Sequence, residues 1–219
     1  MSEGAILAID TAFGPIGVAL VSAAGETIAN ETIADALGAQ AEKLPPLVER
    51  MLAQSQLPAA SLRRIAVTVG PGAFTGVRVG LAFAKGLALA LKVPLLGYTT
   101  LECLAAQARA ARGGAASYAC VIDARRGEVY AQGFDADMQT VFGPAVMTVE
   151  AVLEGLDRLA RPLVLTGSGA GLIAVPNAER LDMQTIDAHQ LALVALRDDP
   201  ATHPPVPCYL RAPDARLPS

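Results

Sequence analysis

Two short apolar runs, each ending in an aspartate and each followed by a tight return, constrain this chain more than any other feature of its 219 residues. Ala5 to Asp10 is apolar up to its acid, turns at Phe13-Gly14-Pro15, and returns as Ile16 to Ser22. Tyr118 to Asp123 repeats the shape 113 residues later, turns at Arg125-Arg126-Gly127, and returns through Val129 to Phe134. Runs of this kind bounded by Gly and Pro read as strands, and loops this short join antiparallel neighbours. A third strand follows in each half: Thr27 to Ile33 after Ala24-Gly25, and Gln139 to Met147. Both halves then continue as helix and strand, so the chain reads as an internal duplication.

In the first half, Leu44, Leu47, Val48, Met51 and Leu52 fall at i, i+3, i+4, i+7 and i+8, one apolar helical stripe. Pro45 and Pro46 belong in its first turn or mark a kink. A short buried strand, Ile65 to Val69, leads through the loop from Gly70 to Gly76 into a helix ending near Leu91. Leu95 to Tyr98 is a strand, and Thr100 starts a helix to about Arg112 that Gly113-Gly114 ends. In the second half Val149 to Leu159 reads as a helix and Leu163 to Thr166 as a strand before Gly167-Ser168-Gly169-Ala170-Gly171. A helix over about Ala188 to Leu196 precedes a proline-rich tail. The expected division is 1–112 for the first lobe and 113–219 for a reduced second lobe and tail. A duplicated three-strand meander followed by helices is the plan of the ribonuclease-H-like α/β fold of actin, sugar kinases and chaperone ATPases. In those proteins two Asp-bearing hairpins face each other across a cleft and meet nucleotide phosphate through backbone amides and Mg²⁺.

Composition narrows the chemistry. Hydrophobic residues make up 53% and charged residues 17%, too apolar for a disordered chain. With no Trp and 4% aromatics, the core is aliphatic. A mean hydropathy of +0.41 raises the question of a membrane. The best candidate span, Val77 to Leu91, carries Arg78 and Lys85 and reads as a helix of a soluble protein. The start, MSEGAILAID, lacks a basic n-region, and Cys103, Cys120 and Cys208 are odd in number and far apart, so a reduced, cytoplasmic protein is expected. Net charge is −4, with no basic stripe. If the chain serves an RNA pathway, another protein is expected to grip the RNA.

Gly70, Gly72 and Gly76 follow a buried strand and open a helix. Such a loop is either a tight structural turn or a phosphate cradle at a helix N-terminus. Pro71 removes one amide, and no Gly-Lys-Ser/Thr follows. The helix after it carries two rows of small residues, Gly76-Gly80-Ala84-Ala88 and Ala82-Gly86-Ala90. Small rows let helix axes approach closely, either against the chain's own sheet or against a partner. His189 and His203 are isolated, there is no Cys-x-x-Cys, and Thr166-Gly167-Ser168-Gly169-Ala170 is not a nucleophile elbow. Asp10 and Asp123 are either a carboxylate pair or turn caps.

Ile6-Leu7-Ala8-Ile9-Asp10-Thr11, the segment Val69 to Leu81 with Ala84-Lys85-Gly86-Leu87-Ala88, Asp123 to Tyr130, and the tail from Tyr209 to Ala215 together resemble the TsaB (YeaZ) family nearly end to end. That family belongs to bacterial tRNA threonylcarbamoyladenosine biosynthesis. The resemblance implies an actin-like ATPase fold and a non-catalytic companion of the transferase TsaD, joined by the ATPase TsaE. It implies a homodimer when the chain is alone, tRNA contact only through the complex, no membrane, and no tightly held cofactor, with ATP or ADP only at the complex interface. Active relatives place Asp-x-Gly-Thr/Ser where this chain has Asp10-Thr11-Ala12-Phe13, so Asp10, Thr11, Gly72 and Asp123 are expected to form a vestigial nucleotide site. The family's contact helices map onto about 40–54 and 75–91, which places the partner interface at Leu44, Leu47, Val48, Met51, Val77, Gly80, Leu81 and Ala84. The family often carries His-Ser-Glu ahead of the first helix, where Ala39-Gln40-Ala41-Glu42 stands here. The alternatives are a stand-alone ATPase or small-molecule kinase using Asp10 and Asp123, and a glycoprotease.

Overall fold

The computed structural model describes residues 4–34 and 38–211. Strands β1 (Ala5–Asp10), β2 (Ile16–Ser22) and β3 (Thr27–Ile33) form an antiparallel meander. Helix α1 (Gln40–Gln54) leads to β4 (Leu62–Thr68), which pairs parallel to β1. Helix α2 (Phe74–Leu91) returns the chain to β5 (Leu95–Tyr98), parallel to β4, and α3 (Thr100–Arg112) follows. The second half repeats this with β6 (Ser117–Asp123), β7 (Glu128–Phe134), β8 (Thr140–Thr148), α4 (Val149–Leu156), β9 (Leu163–Thr166), β10 (Glu179–Leu181) and α5 (Ala188–Arg197). The first sheet has the order β3-β2-β1-β4-β5 and the second β8-β7-β6-β9-β10. Every strand thus has a counterpart five strands later in the same place, and the duplication read from the two Asp hairpins extends to the whole sheet.

The molecule is layered as α1/α2, first sheet, α3/α5, second sheet, α4. The strands at the centre of each sheet are covered on both faces, which is why β1 and β6 read as continuous apolar runs rather than alternating ones. Ala5, Leu7, Ile9, Val18 and Leu20 pack with α1 and α2 on one side of the first sheet. Ile6, Ala8, Ala19 and Val21 point the other way, into the layer that Leu101, Leu104, Ala105, Leu191 and Ala192 share with Tyr118, Cys120 and Ile122 of β6. A boundary at 112/113 separates the two sheets, while the helices between them are exchanged across it. α3 packs on β6, β7 and β9, and α5 packs on β1, β2 and β4.

Local details depart from the sequence reading in several places, among them β4, which begins at Leu62 rather than Ile65. Pro45 and Pro46 lie in the second turn of α1, on its exposed face, because the helix begins at Gln40. Helix α4 ends at Leu156, not Leu159. Strand β10 carries only Glu-Arg-Leu and has no alternation for a pattern to reveal. Helix α3, by contrast, starts where its chemistry says: Thr99 and Glu102 form a reciprocal capping box.

Candidate interaction surface and strand-end loops

Asp10 ends β1 fully buried. Its Oδ1 accepts from the Ala12 amide (3.0 Å) and from Thr68 Oγ1 (2.5 Å), whereas Oδ2 has no partner among the described residues. Burial pushes its carboxyl up to about 6, against the lowering effect of the Thr68 hydroxyl and of the Ala12 and Phe13 amides. Immediately beyond it the chain turns under α2. Thr11 Oγ1 donates to Gly76 O (2.7 Å), and the Ala73 amide donates to Ala12 O (2.8 Å).

That contact decides what the glycines are for. A Cβ on Gly72 would stand 2.1 Å from Ala12 O, one on Gly76 1.9 Å from Thr11 O, and one on Gly80 2.2 Å from Thr11 Oγ1. The glycines let the backbone of residues 11–12 lie directly on the first turns of α2. The Ala73 amide at the N-cap is already engaged, and Ala12 and Phe13 fill the turn as buried residues. A phosphate therefore does not fit here as it would at an open glycine loop. Asp10, Thr11 and Gly72 are brought together by packing.

Asp123 occupies the equivalent strand end of the second sheet, but its surroundings differ. Its side chain is a third exposed, and its Oδ1 accepts from the Arg125 amide (2.8 Å). The turn that follows puts Arg125 and Arg126 at φ 64° and 59°. No interaction joins Asp123 to Asp10 among the described residues, and no group of three or more His, Cys, Asp or Glu there could hold a metal ion. The tail links the two regions instead. The Cys208 amide donates to Val69 O (2.8 Å), Tyr209 accepts through its hydroxyl from Arg78 Nε (3.1 Å) and packs on Phe74, and Arg211 donates to Ala124 O (2.8 Å) and to Glu128. In the sequence Tyr209 and Arg211 stand out only as part of the family-like ending, because the residues they bind, Arg78, Ala124 and Glu128, lie far earlier in the chain.

The two small-residue rows of α2 face opposite ways. Gly76, Val77, Gly80, Leu81, Ala84 and Ala88 are buried against β1 and β4. Leu44, Leu47, Val48 and Met51 of α1 are buried as well, on the side of β2 and α2. This corrects the expected interface: Leu44, Leu47, Val48, Met51, Val77, Gly80, Leu81 and Ala84 are core side chains, because the strongest apolar stripe of a surface helix is the one its own sheet must cover. The other row, Ala82, Gly86 and Ala90, is exposed together with Leu89, which keeps 81% of its surface. A Cβ on Gly86 would meet nothing within 4 Å. α2 is long and apolar enough to cross a bilayer by those criteria alone, with one face on the sheet and Arg78 and Lys85 exposed on the other.

Two sheets of identical strand order, joined by exchanged helices and opened by paired Asp hairpins, define a duplicated ribonuclease-H-like protein of the actin-like ATPase class. An ADPNP-bound activator of 2-hydroxyisocaproyl-CoA dehydratase from Clostridium difficile shares the fold at 11% identity and a TM-score of 0.52, over 88% of this chain and 94% of that one. Residues 32–182 match the family model described as "TsaD: tRNA N6-adenosine threonylcarbamoyltransferase". The tRNA threonylcarbamoyladenosine biosynthesis protein TsaB of Escherichia coli is 34% identical over 75% of this chain and 71% of its own length. YeaZ from Pseudomonas aeruginosa superimposes with a TM-score of 0.71 at 29% identity, over 94% of this chain and all of that one. The chain belongs to the TsaB (YeaZ) family, proteins of tRNA threonylcarbamoyladenosine biosynthesis.

Proposed function

We propose that this chain is a non-catalytic subunit of the tRNA threonylcarbamoyladenosine machinery, acting in the cytoplasm by docking the transferase TsaD, with the ATPase TsaE joining the pair. The observation that carries this reading is the outward row of α2. Ala82, Gly86 and Ala90 stand exposed beside Leu89 on a helix whose other face is already packed. Small residues flanked by an exposed leucine let a partner helix approach closely and bury apolar surface. Pro45, Pro46 and Ala53 are exposed on the neighbouring helix α1. The same face is proposed to form a homodimer when the chain is alone, and tRNA to be held by the complex. The filled turn over Thr11–Ala12 favours a supporting role over nucleotide turnover by the lone chain.

The test is light-scattering chromatography of the chain with TsaD, paired with an assay of threonylcarbamoyl transfer to tRNA. Gly86→Arg, which fills open space and leaves the core alone, is expected to weaken association by at least about tenfold, roughly 1.4 kcal/mol, with thermal unfolding no lower than the parent's. Normal association of that variant would remove α2 from the interface, and transfer by either protein alone would overturn the subunit reading. The buried Asp10 with an unpartnered Oδ2 keeps one alternative in view, a kinase or ATPase. That alternative requires turnover by the pure chain that Asp10→Asn abolishes.

A further inference from the structure

Helices α3 and α5 lie side by side between the sheets and run in opposite directions. Gln107, near the end of α3, meets the residues that begin α5: its Nε2 donates to Thr185 O (3.4 Å) and its Oε1 accepts from the Asp187 amide (3.0 Å). At the other end, Tyr98 just ahead of α3 donates its hydroxyl to Asp198 Oδ2 just beyond α5 (3.0 Å). Along this pair opens a cavity of about 820 Å³, with the turn between β7 and β8 as its third wall. Its size is that of a small-molecule site, and it touches elements packed on both sheets.

The middle of the cavity is apolar, lined by Ala106, Leu191, Val194, Phe134 and Met138. Its charged groups are not equally free. Glu102 Oε2 is engaged by the Thr99 amide (2.7 Å) and hydroxyl (2.8 Å). Asp198 accepts from Tyr98 and faces His203 Nε2 at 3.6 Å. Burial, with Asp198 beside it, pushes the Tyr98 hydroxyl well up, so it remains a donor to that carboxylate. Arg109 and Arg197, in the last turns of α3 and α5, line the same cavity with no side-chain hydrogen-bond or ion-pair partner among the described residues. Because the helices are antiparallel, the two guanidiniums stand toward opposite ends. The stretch of α3 that lines the cavity, Glu102 to Ala110, is about 12 Å long at about 1.5 Å per residue.

We propose that this groove binds an elongated small molecule with an anionic group at each end and an apolar middle, of the class of medium-chain α,ω-dicarboxylates. Each carboxylate would take one unpaired guanidinium in a forked, charge-assisted contact, and the methylene chain would cover the apolar floor. Glu102 and Asp198 keep their negative charge in the groove, each with one oxygen accepting from protein donors, and the guanidiniums are the groups left to attract a ligand's carboxylates. This proposal does not depend on the docking face of α2, which lies on the opposite side of the first sheet.

The probe is decanedioate, titrated into the full-length chain and followed by amide ¹H–¹⁵N shifts. Saturable shifts confined to α3, α5 and the β7–β8 turn are expected. Arg109→Gln and Arg197→Gln should each weaken binding roughly fivefold or more, as loss of one charge-assisted pair requires. Decanoate should lose a comparable factor, and Ala106→Phe, which fills the floor, should abolish the shifts. Thermal unfolding of each variant at the parent's midpoint shows that it folds. No saturable shifts at millimolar decanedioate, shifts elsewhere in the chain, or affinity indifferent to both arginines would overturn the site. Equal affinity for decanoate would overturn its two-ended character.

Discussion

Helix α2 carries glycines on two faces, and the same residue type does opposite work on each. At Gly76 the missing Cβ admits the carbonyl of Thr11 from a loop 65 residues earlier, and the Thr11 hydroxyl reaches back to Gly76 O. At Gly86 the missing Cβ opens onto nothing within 4 Å. Interior glycine costs a helix about 0.5–1 kcal/mol relative to alanine. The inner row recovers this through a backbone-to-backbone seat that no other residue allows. The outer row recovers nothing within this chain, which is why a partner is the natural place to look for its return.

One substitution, made on both faces, breaks or sharpens that contrast. Gly76→Ala should be the most damaging change, because its Cβ would sit 1.9 Å from a backbone oxygen that cannot rotate away. A loss of about 3 kcal/mol or more in denaturant unfolding is expected, at the upper end of the overpacking range. A loss below about 1 kcal/mol would mean that the seat over Thr11 is loose.

The strand-end carboxylate beneath that seat gives the next effect. Asp10 has a folded value raised from 3.8 to about 6, so the protonated form is favoured in the folded chain. Below 3.8 it is protonated in both states and its stabilising share is complete. As pH rises through 6 that share is lost, about 3 kcal/mol for a shift of this size. Asp10→Asn removes the cost of a buried charge and should unfold at higher urea than the parent at pH 8, by about 1–3 kcal/mol. The gap should narrow toward pH 4. A variant less stable than the parent at pH 8 would show that the charged form is held by something other than the groups described.

The smallest effect has the sign opposite to that of Gly76→Ala. Gly86→Ala should raise stability by about 0.5–1 kcal/mol through helix propensity alone. Thermal unfolding of the isolated chain checks it, and a loss of stability there would place Gly86 in a packed contact.

Much of this was legible in advance because it is local. The strands β1 to β9 follow from apolar runs between turn residues, and α3 from its start at Thr100 to the glycine pair that ends it. The two Asp hairpins announced the duplication, and the family followed from residues around Gly72 and Asp123. Strand β10 escaped because three residues of Glu-Arg-Leu are a strand only by pairing with β9. The groove between α3 and α5 escaped because its walls come from residues as far apart as Tyr98 and His203.

Helical periodicity sorts α2 into rows but does not say which row faces the sheet. Both rows are made of Gly and Ala, so their composition is nearly silent on the choice. The decision came from Thr11 and Ala12, whose carbonyls need a surface without side chains at the positions of Gly76 and Gly72. By itself the sequence determined every main element but β10, their repeat and the family, since each rests on neighbours within a few residues. The tertiary structure alone decided which glycines are core and which are surface, because that depends on contacts between segments distant in the chain.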